Sequence, residues 1–97
     1  MILRTVYMSF RPNMVEAFLE LFAQHREAIA SQPGCHSVQL IQSHDHPEQL
    51  STVSVWDSQQ DLDAYRKSGL FSQVWPATKS LFADPAIAKS HRLLWAS

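Results

Sequence analysis

Trp56, Tyr65, Phe71 and Trp75 fall close together in the chain, and Thr52 and Ser54 precede Trp56 at alternate positions of one extended run. Rings held over a strand that shows hydroxyls on the same face would line a pocket for a flat apolar molecule with a few polar anchors, the usual make-up of a small-molecule site. Arg4 adds a guanidinium able to pair with a phenolate or enolate oxygen if it points the same way. His36 and His91 lie on extended segments, and histidine is the natural proton acceptor near neutral pH. Tyr65 supplies a hydrogen-bonding hydroxyl, although its reference pKa of about 10 makes it a poorer base. Each of these residues also has a plain structural role. Aromatic residues at helical spacing build cores, a half-buried tyrosine needs no more than a partner for its hydroxyl, and strand histidines belong to surfaces and interfaces.

Two further groups read as structural. His44-Asp45-His46 has metal-ligand types, but it lies in a proline-containing hairpin loop without a third ligand nearby in sequence, so it is a turn and no metal is expected. Cys35, beside Gly34, is a small core residue rather than a nucleophile, since neither a helix start nor a base adjoins it.

The elements that must place these side chains follow from periodicity. Residues 2–10 are β-branched, aromatic and apolar, and Arg11-Pro12 ends them, which marks a first strand. Asn13 caps a helix over residues 13–30, with Met14, Phe18, Leu21, Phe22 and Ile29 on one side and glutamates on the other. Ser31-Gln32-Pro33-Gly34 breaks that helix. Strands over 35–43 and 49–57 flank the hairpin. Ser58, with Asp61 three residues on, is a capping-box pattern that opens a second helix at Ser58. Leu62 and Tyr65 share a face of that helix, and Ser68-Gly69 stops it. Phe71, Val74, Trp75, Thr78, Leu81 and Phe82 then make another apolar stripe. Pro76 inside that stripe predicts a kink or a break. Ala83-Asp84-Pro85 reads as a loop and 88–95 as the last strand. The order is β-α-β-β-α-β, an α+β, ferredoxin-like layout with a four-stranded antiparallel sheet.

Ninety-seven residues make one domain, spanning 1–97. Eight basic and nine acidic residues, scattered to a formal charge of −1, leave no basic stripe for nucleic acid and no polybasic membrane tag. No apolar run approaches the roughly 20 residues that span a bilayer. A single cysteine excludes an internal disulfide, and MILRTVYMSF has neither a long apolar run nor a small-residue cleavage site, so the expectation is a soluble, cytoplasmic protein. Both faces of the strands carry apolar residues, with Val6, Met8 and Phe10 opposing Leu3 and Tyr7. Cys35 and Ile41 likewise oppose Val38 and Leu40, Leu50 and Trp56 oppose Val53 and Val55, and Leu93 and Trp95 oppose Leu94. Helices cover one face alone. A second copy packed sheet to sheet is the simplest cover for the other, which predicts an obligate homodimer.

The element order, the two-sided sheet and the run of strand, Trp56, Asp57-Ser58, helix, Ser68 and Phe71 resemble the antibiotic biosynthesis monooxygenase domain of the dimeric α+β barrel superfamily over nearly the whole chain. The resemblance implies a small homodimer that oxygenates phenolic, quinol or anthrone compounds with O2 and without metal or flavin, hence no cofactor. Where anthrone-oxidising members have Asn, Trp and Tyr, this chain has Thr52, Trp56 and Leu62, so the Trp alone is kept. A histidine of quinol-oxidising members, nine residues after the Trp, is replaced by Tyr65. The Asn, Trp and His of the heme-cleaving branch correspond to Val6 or Tyr7, Tyr65 and Trp75, so heme cleavage is not implied. Within this resemblance Tyr65, His36 and His91 are the candidate catalytic residues, and Trp56, Thr52, Arg4, Phe71 and Trp75 the substrate contacts. The ligand is a small hydrophobic or aromatic compound. The alternative is a dimer of the same fold that binds such a ligand, or serves a stress response, without turnover. A cavity of about 300 Å³ or more beside Tyr65 would support turnover or ligand binding, whereas a pocket plugged by its own side chains would end the enzyme reading.

Overall fold

The computed structural model describes residues 1–97. The chain runs β1 (Ile2–Phe10), a 3-10 turn (Pro12–Met14), α1 (Val15–Ala30), β2 (Cys35–Gln42), β3 (Gln49–Trp56), α2 (Gln59–Arg66), α3 (Gly69–Lys79) and β4 (Phe82–Arg92). All strand pairs are antiparallel, in the order β2-β3-β1-β4. This is the ferredoxin-like layout expected, with the second crossover built from two short helices. No helix is long and apolar enough to cross a membrane.

Strand alternation sorts the side chains. Val6, Met8 and Phe10 of β1, with Leu50 and Trp56 of β3, turn towards the helices. There Met8, Phe10, Phe18 and Leu50 form the buried core, with Val15, Leu19 and Phe22 of α1 and Phe82 packed around it. Full burial of such side chains stabilises by roughly 1.5–3 kcal/mol each, which anchors α1 across the sheet. The opposite face carries Tyr7, paired with Ile87 on β4 and with Ser51 on β3, which in turn pairs with Ile41 on β2. Tyr7, Ile41 and Ile87 are 47%, 51% and 58% exposed, so one apolar row crosses this sheet face uncovered.

Several local expectations are corrected. Asn13 is not the cap of α1; it sits in the 3-10 turn opened by Pro12, and the cap position is Met14, with no side-chain hydrogen bond. The fixed φ of Pro12 favours a tight first turn that absorbs Asn13. Cys35 does not share a face with Ile41. It pairs with Trp56, and the register shift between Cys35 and Ser37 leaves His36 as the extra residue, which reverses the alternation. The last strand starts at Phe82, not after Pro85. β4 is an edge strand, and Pro85 falls at a register irregularity between Asp84 and Ile87, where its missing N–H breaks no ladder bond. The strand also stops at Arg92, so Leu93–Trp95 is not part of the sheet face, and Leu94 and Trp95 are left exposed. Pro76 does not break its helix: α3 runs through it, with Phe71, Val74, Trp75 and Thr78 turned to the cavity on one side.

A cavity between the sheet and the paired helices

The three-and-four spacing of α2 and α3 puts apolar residues over the Trp56 end of the sheet, and hydrogen-bonded caps fix where each helix begins. Ser58 Oγ accepts from the Asp61 N–H at 3.2 Å, the helix start that the sequence pattern marked, and donates to Asp61 Oδ2 at 3.1 Å. The carboxylate thus meets the Ser58 hydroxyl rather than its backbone N–H, and only the serine half of a capping box is made. Ser68, read from sequence as part of a stop, also caps α3, accepting from the Phe71 N–H at 3.2 Å. Gly34 closes the junction from below. Its φ of +81° lies where side chains are disfavoured, and a Cβ there would meet Asp61 Oδ2 at 2.3 Å.

Under these helices lies a cavity of about 220 Å³. Its floor is short: Thr52, Ser54 and Ala88, with Arg4 and Val6 beside them. Its roof is aromatic and branched: Leu62, Tyr65, Phe71, Val74 and Trp75. The rings form one ladder. Tyr65 stacks on Trp56 with centroids 5.2 Å apart, Phe71 meets Tyr65 edge-on at 5.3 Å, and Trp75 stacks on Phe71 at 5.8 Å. Trp75 then meets Phe82 edge-on at 5.8 Å and so joins the ladder to the core. The volume is below the 300 Å³ expected, with Trp56, 1% exposed, occupying part of the space at its edge. It is larger than the roughly 150 Å³ that suffices to hold benzene in an apolar protein cavity, so one or two fused rings fit.

The polar groups at the cavity are mostly donors. The Trp56 indole N–H donates to Ser54 Oγ at 2.9 Å, which leaves the serine's own proton free. Arg4 donates from Nη1 to Ser90 Oγ at 3.0 Å. Burial, and the nearby Arg66 charge after it, push the Arg4 guanidinium below its ordinary pKa, while Asp63 acts in the opposite direction. Burial lifts the Tyr65 phenol to about 12, with Cys35 a secondary cause, so Tyr65 is protonated at neutral pH. Burial also pushes the Cys35 thiol up.

The structure therefore brings Tyr65, Trp56, Thr52, Arg4, Phe71 and Trp75 together around one cavity and leaves both histidines outside it. His36, on the bulge of β2, is bonded to the Asp57 carboxylate at the start of the β3–α2 junction. His91 pairs with Leu3 across the edge of the sheet. His44 touches Asp45 at 3.2 Å in an exposed loop, and no three His, Cys, Asp or Glu side chains converge as a metal site. Arg66 and Val74 also line the cavity. Arg66 follows Leu62 by four residues and so shares its helical face, a signal that its charge disguised.

Comparison with known proteins agrees with this fold. The family model for antibiotic biosynthesis monooxygenase matches residues 1–75. Among solved structures, a candidate antibiotic biosynthesis monooxygenase of Nitrosomonas europaea superposes with a TM-score of 0.91 at 21% identity, covering 98% of this chain and 100% of its own. The Rv0793 protein of Mycobacterium tuberculosis gives 0.90 at 20% identity, covering 99% of this chain and 97% of that one. A conserved protein of Methanosarcina mazei gives 0.88 at 22%, covering 94% and 91% respectively. At these identities the structural likeness establishes the fold alone. No curated protein matches the sequence.

Proposed function

The chain belongs to the antibiotic biosynthesis monooxygenase family, and from that premise we propose a cofactor-independent monooxygenase that oxidises a small aromatic, phenolic or quinol-type compound with O2. The observation that carries the reading is the ring-lined cavity, which suits a flat substrate and shields it from water. Ground-state oxygen reacts slowly with closed-shell molecules, so the substrate's anion must supply the electrons. A carbon of that anion forms a bond to one oxygen atom, and protonation gives a hydroperoxide. Loss of water then breaks the O–O bond, leaving a carbonyl and carrying off the second oxygen atom. A quinol gives up four electrons in becoming a hydroxyquinone, which balances the reduction of O2 without an external reductant.

We assign Trp56, Phe71 and Trp75 the role of holding the ring, and Thr52 and Arg4 contacts to its oxygen atoms. Tyr65, protonated at neutral pH, donates a hydrogen bond to developing negative charge rather than removing a proton. Oxygen uptake with a panel of quinols, phenols and anthrones tests the assignment. The expected result is uptake above the uncatalysed rate with at least one compound, reduced by about 10-fold or more in Tyr65→Phe. Uptake no faster than the buffer control across the panel overturns it. A second reading, binding of the same ligand without turnover, draws on the lack of Asp, Glu or His in the cavity lining; calorimetric binding without oxygen uptake is its signature.

The homodimer is part of the same proposal. The uncovered row of Tyr7, Ile41 and Ile87 is the natural seat of a second copy, sheet against sheet. Sedimentation at micromolar concentration is expected to give a dimer, and Ile41→Glu to shift it towards single chains. A stable monomer of the unaltered chain overturns this part. A cytoplasmic location rests on the single Cys35.

A further inference from the structure

We propose that the cavity takes its ligand as a pre-formed anion, an aromatic ring bearing a carboxylate or an already ionised hydroxyl, whose charge is held by Arg4 and Arg66 together. The inference rests on reading the cavity as the substrate site, and it specifies the substrate's charge.

Arg4 comes from the middle of β1 and Arg66 from the last turn of α2, yet both line the same cavity. Neither guanidinium is within ion-pair distance of a carboxylate; the ion pairs of the protein all involve histidines. Arg4 spends one N–H on the neutral Ser90 hydroxyl and has others free. Asp63 is the carboxylate whose charge reaches Arg4, but it is bonded to the Gln59 amide at 2.9 Å and does not line the cavity. Two cations kept near each other at a partly dry site repel, and the Arg4 guanidinium is correspondingly depressed by Arg66 after desolvation. An anion between them relieves both costs, and a carboxylate or phenolate matches the planar fork of a guanidinium.

The remaining lining supports the same sign. It contains no carboxylate and no imidazole. Thr78 already donates to the Val74 carbonyl at 2.9 Å, whereas Ser54 accepts from Trp56 and keeps its proton for a ligand. Tyr65 holds its proton as well. Its hydroxyls can donate or accept, but its charged groups are all cations, so the lining favours an anion over a neutral isostere, and it has no carboxylate or imidazole with which to create that anion. The charge must therefore arrive with the ligand.

Calorimetric titration of the full chain with three probes tests this: 2-naphthoate, its neutral isostere 2-naphthamide, and 2-naphthol measured below and above its own pKa. A charge-assisted pair predicts that naphthoate binds about 10-fold or more tighter than naphthamide, with the gap closing as salt is added. Tightening of naphthol by a similar factor on ionisation, without a gap for naphthoate, supports the inference and identifies phenolate as the source of charge. Arg66 is exposed, so Arg66→Met folds on structural grounds. It is expected to shrink the gap to about 3-fold or less, and Arg66→Lys to keep most of it. Equal binding of charged and neutral forms in both comparisons, naphthoate against naphthamide and naphtholate against naphthol, no binding of any probe at millimolar concentration, or an unchanged gap in Arg66→Met overturns the inference. Binding with the predicted gap but without oxygen uptake leaves it standing and removes the oxygenase reading instead.

Discussion

The helix-covered face of the sheet is aromatic at both ends, but one end is filled and the other hollow. At the Phe10 end the strands themselves contribute bulk: Phe10 stacks on Phe18 with centroids 4.3 Å apart, Phe82 meets it edge-on at 5.2 Å, and Phe10 has no exposed surface. At the Trp56 end the bulk comes mostly from the helices, while the strands beneath offer Thr52, Ser54 and Ala88. Large side chains from both layers interlock; large ones over small ones leave a gap. The hollow is thus written into the short residues of the floor more than into the conspicuous rings above it. Beside the hollow, α2 and α3 are held by the buried Trp56 and Leu62, by the ring ladder, by the Ser58 and Ser68 caps and by the Gly34–Asp61 contact.

The sharpest way to break this contrast is to remove a ring from each end. Phe10→Ala is expected to cost about 3–5 kcal/mol in urea unfolding, since it opens a void in a packed core. Phe71→Ala is expected to cost less than half as much, because Phe71 already borders empty space. Equal losses would mean that both ends are packed alike.

Next in size is the junction. Gly34→Ala forces a Cβ into Asp61 and a side chain into a left-handed backbone, so about 2–3 kcal/mol is expected, with part of it from the lost cap. Asp61→Ala in the same background removes the obstacle and keeps the capped backbone N–H, so it should recover some of the loss although the Ser58 Oγ–Asp61 Oδ2 bond goes. Strict additivity of the two substitutions would show that they do not meet.

A substitution that fills the hollow separates packing from function. Thr52→Leu adds apolar volume from the floor and is expected to change unfolding stability by less than about 1 kcal/mol while abolishing binding of ring compounds. A loss of the roughly 1–3 kcal/mol typical of overpacking would show that the space is already taken.

How far these features were legible before the structure depends on how local their causes are. The helix start capped by Ser58 and the shared face of Leu62 and Tyr65 are set within a few residues, and both stand as read, with Asp61 meeting the Ser58 hydroxyl in place of its backbone N–H. The ladder of Trp56, Tyr65 and Trp75 followed from the same spacing, with Phe71 as the rung between the last two. Features decided by neighbours distant in sequence were not readable. The bulge at His36 depends on pairing with β3 and moves Cys35 to the other face. Pro85 looked like a terminator because nothing in its own neighbourhood says that its strand lies at the sheet edge, where a missing donor is harmless. Arg66 looked like a solvated charge, as most exposed helical arginines are, until the fold set Arg4 near it. The cavity's volume, finally, is a difference between two packed layers, and no single segment encodes it.

The smallest effect probes the electrostatics of the hollow end. Burial raises the Tyr65 phenol from 10.0 to about 12, so the folded state holds this proton more tightly than the unfolded chain does. Between those two values the native protein binds more protons than the unfolded one, and stability falls as pH rises through that window. Below pH 10 the contribution is complete and the curve is flat with respect to this group. Tyr65→Phe has no proton to lose, so its stability should decline less steeply between pH 10 and 12, even if the variant is less stable overall. Parallel curves for the two proteins across that range would place the phenol in ordinary solvent contact. That outcome would also remove the reason for treating Tyr65 as a donor, because a phenol free to ionise at its usual pH is not held protonated by a dry, ring-lined wall.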